Sequence, residues 1–267
     1  MKQLRVGMVV PSLNTIAEDD FRRYCPGEVA YHVHRIRLRK EAGRVTTESL
    51  ARAWLEAIEQ SEYVADLLPD AVLFNCTGAS VGYGDDCDAL LAQRMEAQLG
   101  VPATNTMVAI KAALRAVSAT RVLHVCPFTD TFSRIEHASL SRSGIDVANT
   151  VSLDFTDARV AARMTPDELA SIVHARVNEQ RSGAAAIGAV LLSCANVRAF
   201  EAVAPLEASL GVPVVTSNQA ALWAVLALAG WRGSIRDAGR LFDVTLPAAD
   251  AAQFSHSSQD RLLSCGS

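Results

Sequence analysis

The sequence lacks any long hydrophobic run. Its longest apolar stretch, Ala220 to Trp231, is much shorter than the roughly 20 residues that a helix needs to cross a bilayer. The apolar residues 6–10 are too few for the core of a secretory signal and run directly into Pro11. We therefore expect a cytoplasmic protein that does not contact a membrane.

The sequence also has little excess charge of one sign. Its formal net charge is −4 over 267 residues, and the charges are scattered. Because phosphate binding requires a concentrated basic surface, nucleic acid is not expected as a partner. One basic cluster interrupts this pattern and consists of Arg35, Arg37, Arg39 and Lys40. Its three arginines alternate with apolar residues and so lie on one face of a predicted strand, either as a solvated edge or as a surface that attracts anions.

Motifs that bind common cofactors are missing. No G-x-G-x-x-G follows the first predicted strand, and no P-loop occurs, which disfavours a dinucleotide or ATP. The six cysteines show no paired spacing, no C-x-x-C motif and no Cys/His cluster. Disulfides and a structural zinc site are therefore not expected, and a reducing compartment fits best. We predict neither a cofactor nor a metal.

Two cysteines lie in near-copies of one sequence pattern. Residues 70–78 read DAVLFNCTG and residues 188–196 read GAVLLSCAN, so Cys76 and Cys194 each follow a short apolar run and precede small residues. Such a run predicts a buried parallel strand, and the small residues predict the turn at its carboxyl end. Ligands of open α/β sheets bind at that end. Each cysteine is therefore predicted at a ligand-binding edge.

The repetition extends beyond these two stretches. Arg5–Pro11 resembles Arg121–Pro127, and the sequence LGVP occurs at residues 99–102 and again at 210–213. These pairs and the two cysteines keep the same order at offsets of roughly 110 to 120 residues, which indicates a duplicated unit. With strands and helices alternating along the chain, the pattern predicts an α/β fold of two pseudo-symmetric halves, each a parallel four-stranded sheet flanked by helices.

The predicted halves have these boundaries. The first comprises residues 1–117 together with about 217–243 and contains Cys76, and the second comprises residues 118–216 and contains Cys194. Residues 244–267 are rich in Ser, Ala and Asp and are expected to be loosely held. Whether the polar segment 40–47 closes over a site as a lid is left open.

Two cysteines at facing strand ends suit acid–base or nucleophilic chemistry. Nearby helix N-termini lower the pKa of a thiol, and two thiols on opposite sides of a cleft can deprotonate or attack one face of a substrate and protonate the other. A racemase or isomerase without a cofactor needs this arrangement. The remaining four cysteines are interpreted as buried apolar residues, and His124, in the middle of a predicted strand, as a satisfied core residue.

Several motifs carry a resemblance to a known family. The sequence VPSLNT at residues 10–15 resembles the V-P-S-S-N-T opening of maleate cis–trans isomerases, and VTTES at residues 45–49 resembles their V-T-P-E-G lid segment. Residues 192–194 (LSC) and 239–243 (GRLFD) extend the similarity. The chain thus resembles the Asp/Glu racemase superfamily, in the branch of maleate isomerases and arylmalonate decarboxylases. Decarboxylases of this branch carry glycine where this chain has Cys76, whereas isomerases and racemases have both cysteines.

The resemblance implies roles for individual residues. Cys76 would add to a substrate double bond as a thiolate, rotation would follow, and Cys194 would act opposite it as an acid or partner. Asn14 would bind a substrate carboxylate, although asparagine is also a favoured helix cap. The remaining carboxylate-binding positions implied are Thr77, which is equally suited to turn formation, Gly78 and the backbone N–H of Ala195.

Two positions depart from the isomerase pattern. Phe128 stands where isomerases have tyrosine, and Ala158 aligns loosely with their asparagine. Both changes remove polar contacts, so we expect a small carboxylate substrate whose second end is less polar than that of maleate. A lyase or racemase of an α-substituted carboxylic acid remains a second hypothesis, and a non-catalytic binder a third. Assembly into a homo-oligomer is left open.

Overall fold

The computed structural model describes residues 3–82, 84, 87–181 and 186–246, and contains two parallel four-stranded sheets. The first has the strand order β2-β1-β3-β4 and the second the order β6-β5-β7-β8. The predicted fold class is therefore confirmed. The strands are β1 Leu4–Pro11, β2 Val29–Ile36, β3 Ala71–Phe74, β4 Ala103–Asn105, β5 Arg121–Cys126, β6 Asp146–Ser152, β7 Ala189–Leu192 and β8 Val214–Thr216.

Helices connect the strands in both halves, as parallel pairing requires. They are α1 Ala17–Tyr24, α2 Thr47–Gln60, α3 Glu62–Ala65, α4 Thr77–Ser80, α5 Cys87–Leu99, α6 Thr106–Ala116, α7 Asp130–Arg142, α8 Ala158–Ala161, α9 Pro166–Arg181, α10 Val203–Leu210 and α11 Ser217–Leu228. Two short 3-10 helices cover Phe200–Ala202 and Arg240–Asp243. Among the described helices, none has the length and apolar character to cross a membrane.

The two short central strands, β3 and β7, are completely buried. Each consists of four apolar residues, AVLF and AVLL, because helices cover both faces of a parallel sheet. Each strand ends two residues before a cysteine, so Cys76 and Cys194 lie just beyond the carboxyl ends. These two apolar strands thus position both thiols.

Side-chain caps fix where several helices begin. Thr165 forms a capping box: its hydroxyl accepts from the Glu168 N–H at 3.2 Å, and the Glu168 carboxylate accepts from the Thr165 N–H at 2.8 Å. Helix α9 accordingly begins at Pro166. Reciprocal caps also start α2 at Thr46 and α11 at Thr216. The first two residues of α11, Ser217 and Asn218, form hydrogen bonds with Thr77 and Asn75 on either side of Cys76.

One continuous cluster of buried apolar residues extends through both sheets. Helix α11 lies between them and contacts α6, β3 and β4 of the first half as well as β8 of the second. The division of the chain at residues 117, 217 and 243 stays a prediction. Residues 247–267 of the predicted tail lie outside the described residues.

Candidate active site

A cavity of about 370 Å³ opens at the carboxyl ends of the central strands of both sheets. Its volume falls in the range of roughly 300–1,000 Å³ that is typical of small-molecule sites. All seven predicted site residues line it: Asn14, Cys76, Thr77, Gly78, Phe128, Cys194 and Ala195. The duplicated strand ends therefore converge on one space, whereas the roles of these residues stay predictions.

Cys76 lies at the start of the short helix α4, with an extended backbone. Burial raises the pKa of its thiol to about 11, and the backbone N–H groups of Ala79 and Gly78 offset only part of this effect. The sequence analysis expected a lowered pKa from helix N-termini. In the structure, desolvation outweighs the N–H groups of a helix only four residues long.

Cys194 has an unusual backbone conformation. Its φ of 116° lies in a region that residues with a side chain rarely adopt. Its N–H donates to Ser217 Oγ at 2.9 Å, and the preceding residue, Ser193, donates its N–H to Val125 O at 2.9 Å. Burial raises the pKa of the Cys194 thiol to about 12. Cys194 is therefore a protonated thiol held in a strained turn.

Ser217, the first residue of α11, connects the two cysteine turns. Its hydroxyl lies 2.9 Å from Thr77 Oγ1 and also accepts the Cys194 N–H. Sequence reasoning missed this residue. The signal was present in the LGVP repeat, because the same offset aligns Ser217 with Thr106, whose hydroxyl donates to Asn75 Oδ1 at 2.8 Å beside Cys76.

Asn218 makes a second connection between the same two turns. Its Oδ1 accepts from Asn75 Nδ2 at 3.0 Å, and its Nδ2 donates to Ala195 O at 3.1 Å. The Asn218 amide also donates to the buried Asp20 carboxyl at 2.6 Å. Burial raises the pKa of Asp20 to about 7. A buried network of polar side chains therefore holds the two cysteine turns together.

Asn14 is used for capping and for contact across the site. Its Oδ1 accepts from the N–H groups of Ile16 and Ala17 at 3.0 Å each, at the start of α1. Its Nδ2 donates to Ala195 O at 3.1 Å. Among the described residues, the second N–H of this amide has no partner. Asn14 thus caps helix α1, and one N–H group of its side-chain amide remains to donate to a ligand.

The two positions that depart from the isomerase pattern both line the cavity. The Phe128 ring packs edge-on against Phe132, with ring centres 6.4 Å apart, and offers no hydroxyl. The carbonyl of Ala158 accepts from Asn196 Nδ2 at 3.0 Å. Asn196, which the sequence analysis missed, also accepts the Thr15 N–H at 2.9 Å. It thereby links the loops that enclose the cavity.

The segment 40–47 forms one wall of the site. Glu41 and Arg44 pair through two backbone hydrogen bonds of 2.9 and 3.0 Å, and residues 44–47 line the cavity. Among the described residues that line it, Arg44 is the only one with a charged side chain. Lys40 lies 3.7 Å from Asp157 of the second half. Arg44 is therefore a candidate for binding an anionic substrate, which the sequence analysis did not identify.

Comparisons with known proteins agree with this architecture. The sequence model of the arylmalonate decarboxylase family matches residues 25–242. The chain is 27% identical to the maleate isomerase of Geobacillus stearothermophilus over 90% of this chain and 97% of that protein. It is also 27% identical to the arylmalonate decarboxylase of Bordetella bronchiseptica, over 89% and 96%.

A solved structure shows the same fold. It is a mutant of the Nocardia farcinica maleate cis-trans isomerase with a covalently bound succinylcysteine intermediate, and it matches with a TM-score of 0.79 at 22% identity. The match covers 90% of this chain and 98% of the isomerase chain.

The Ser217 connection predicts a loss of stability on truncation. Ser217→Ala leaves the Cys194 N–H and the Thr77 hydroxyl buried without this partner, so the free energy of unfolding should fall by about 1–3 kcal/mol. Urea denaturation measures the change. The control is Ser209→Ala on the exposed side of α10, expected within about 0.5 kcal/mol of the unmodified protein. Equal stability of the two variants would contradict the connection.

The raised pKa of Cys76 predicts how its reactivity depends on pH. Because the pKa of Cys76 is about 11, its thiolate fraction should rise about tenfold for each pH unit between about pH 7 and pH 9. The rate of Cys76 alkylation by iodoacetamide, followed by peptide mass spectrometry, should rise in parallel, with Cys76→Ala as the background. A plateau within this range would show a lowered pKa instead.

Proposed function

The chain belongs to the arylmalonate decarboxylase family, and on that premise we propose that it is a two-cysteine isomerase that works without a cofactor. Its proposed substrate is a small cis-configured carboxylate such as maleate, which it converts to the trans isomer. The observation that carries this proposal is the presence of both Cys76 and Cys194 on one cavity.

In the proposed reaction, the Cys76 thiol first loses its proton to water, and the thiolate then donates an electron pair to one carbon of the double bond and forms a C–S bond. The former π electrons move onto the other carbon and its carboxylate as an enediolate. The two carbons are then joined by a single bond and can rotate. Expulsion of the thiolate restores the double bond in the trans configuration, so the protein is unchanged and no redox partner is needed.

Cys194 is suited to supplying a proton to the enediolate and taking it back. Its thiol, with a pKa raised to about 12, stays protonated at neutral pH. The succinylcysteine named for the Nocardia farcinica enzyme is a thiol adduct of this kind, protonated at the neighbouring carbon. The same proton transfer is proposed here.

Hydrogen-bond donors near Cys76 are proposed to bind the reacting carboxylate. The remaining amide N–H of Asn14, the Thr77 hydroxyl and the Ala195 backbone N–H belong to residues that line the cavity. When Ser217 donates to Thr77 Oγ1, the Thr77 proton is free to point at a ligand. Donors fixed before the substrate binds stabilise the charge that develops on the enediolate.

The second end of the substrate would meet a mixed surface. Phe128, Phe132 and Phe155 provide apolar contact, while Arg44 provides one positive charge at the rim. This arrangement favours a carboxylate bound loosely by Arg44, or an apolar substituent packed against the aromatic rings. The apolar alternative fits the expectation that the second end of the substrate is less polar than that of maleate.

A decarboxylase or racemase of an α-substituted carboxylic acid is the second candidate. The aromatic wall supports it, and the family includes arylmalonate decarboxylases. In that reaction Cys194 would transfer a proton to or from the α-carbon, and the product would exchange with solvent deuterium.

One experiment compares the two candidates. The protein is incubated in deuterium oxide with maleate, with phenylmalonate and with one enantiomer of an α-aryl propionate, and products are followed by proton NMR. We expect fumarate from maleate, lost in Cys76→Ala and in Cys194→Ala but kept in Cys25→Ser, whose thiol lies outside the cavity. Decarboxylation or α-deuteration without fumarate would replace the isomerase proposal with the second candidate. Binding without turnover would contradict both.

Arg44 predicts a specific kinetic effect. Arg44→Ala should raise the KM for maleate roughly tenfold to a hundredfold and change kcat little, because a charged hydrogen bond contributes about 1.5–3 kcal/mol. Arg44→Lys should recover part of the loss. Steady-state kinetics provide the measurement, and Arg52→Ala, exposed on α2 and outside the cavity, is the control. An unchanged KM would remove Arg44 from substrate binding.

A further inference from the structure

A second group of reactive side chains lies behind the active site, between β5 and α7. His124 and Cys126 project from the strand and Glu136 from the helix, and all three are buried. One ring nitrogen, the thiol sulfur and a carboxylate oxygen lie within 4.8 Å of one another. None of the three residues lines the active-site cavity. The proposed reaction leaves this cluster without a role.

Three polar atoms of this cluster have no hydrogen-bond partner among the described residues: both ring nitrogens of His124 and one carboxylate oxygen of Glu136. His124 Nε2 lies 3.3 Å from Glu136 Oε2, yet the pair is not aligned as a hydrogen bond, and the other ring nitrogen also has no partner. His124 is therefore a buried core residue, as expected, but not a satisfied one. Two nearby hydroxyls are also unpartnered: that of Thr150, which pairs with His124 in the sheet, and that of Ser139, one turn after Glu136.

Unpartnered polar atoms are expensive in a protein interior. Each costs about 1–3 kcal/mol, so native structures contain few of them. Most of those in the described part of the chain belong to this one region. A cation bound between His124 and Glu136 would satisfy two of these atoms at once, one ring nitrogen and Oε2.

The donor set matches a transition-metal ion. Imidazole nitrogen, thiolate sulfur and carboxylate oxygen are the three ligand types of zinc. With Zn–N and Zn–O bonds of about 2.0–2.1 Å, a tetrahedral site separates these two ligand atoms by about 3.3 Å. His124 Nε2 and Glu136 Oε2 have this separation. A thiolate and a carboxylate together would also balance the two positive charges of the ion.

The surroundings orient Glu136 for this task. The Ser193 hydroxyl donates to Glu136 Oε1, which leaves Oε2 on the side of His124. Metal-binding carboxylates are commonly fixed by an outer hydrogen bond of this kind.

We propose that His124, Cys126 and Glu136 bind a divalent ion of the zinc class, with a water molecule as the fourth ligand of the tetrahedral site, and that the ion has a structural role. The ion fastens α7 to β5 and, through Glu136 and Ser193, supports the strained turn at Cys194. A structural zinc is not expected from the sequence, because the cysteines form neither a C-x-x-C motif nor a cluster with histidines. Two of the proposed ligands, His124 and Cys126, occupy alternate positions of β5, and the third, Glu136, comes from α7.

The test is the metal content of the intact protein. Because the cluster is buried, the ion enters during folding, so the protein is produced in medium supplemented with zinc or, separately, with cobalt(II). We expect one zinc per chain by mass spectrometry after dialysis. The cobalt form should show a thiolate-to-cobalt charge-transfer band in the near ultraviolet and the strong visible bands of a tetrahedral site.

Variants assign the ion to the cluster. Cys126→Ser and Glu136→Gln should retain less than about 0.1 ion per chain, as expected when a ligand to a structural metal is lost. Cys25→Ser and Cys76→Ala should retain the full amount, which separates the cluster from the thiol in the cavity. A metal-free unmodified protein, a cobalt form without the thiolate band, or loss of the ion in Cys76→Ala overturns the proposal. The first two results do not depend on the folding of any variant.

Discussion

The hydrogen bonds from the start of α11 to both cysteine turns are the constraint on which the site depends. Ser217 joins Thr77 to the Cys194 backbone, and Asn218 joins Asn75 to Ala195. One helix end therefore sets the position of one thiol turn relative to the other. The two turns belong to different sheets, and these hydrogen bonds join them directly, in addition to the bond from Asn14 to Ala195 O and the packing between the sheets. A reaction shared between two thiols requires this coupling.

Burial gives the two thiols their properties but also limits their reactivity. It raises the pKa of Cys76 to about 11 and that of Cys194 to about 12. A high pKa suits a proton donor such as Cys194, whereas it leaves Cys76 mostly protonated at neutral pH. The backbone N–H groups of Gly78 and Ala79 favour the Cys76 thiolate, while the Cys194 sulfur accepts one such group, from Asn196.

The fold and the composition of the cavity could be predicted from the sequence because both depend on local patterns. The duplicated apolar runs predicted the positions of β3 and β7 and of the two cysteines just after them. The pKa of Cys76 could not be predicted, since it depends on how completely other segments cover the thiol. Arg44 and Glu136 were missed for a similar reason. Arg44 reaches the cavity, and Glu136 reaches His124, only in the folded chain.

The backbone of Cys194 has a consequence for how this chain balances stability against activity. A φ of 116° is accessible to glycine without steric cost, whereas a residue with a side chain loses about 1–3 kcal/mol there. Selection for thermal robustness alone would therefore replace this cysteine with glycine. That a thiol occupies the position means that the protein tolerates a permanent local penalty at the place where its chemistry is proposed to occur.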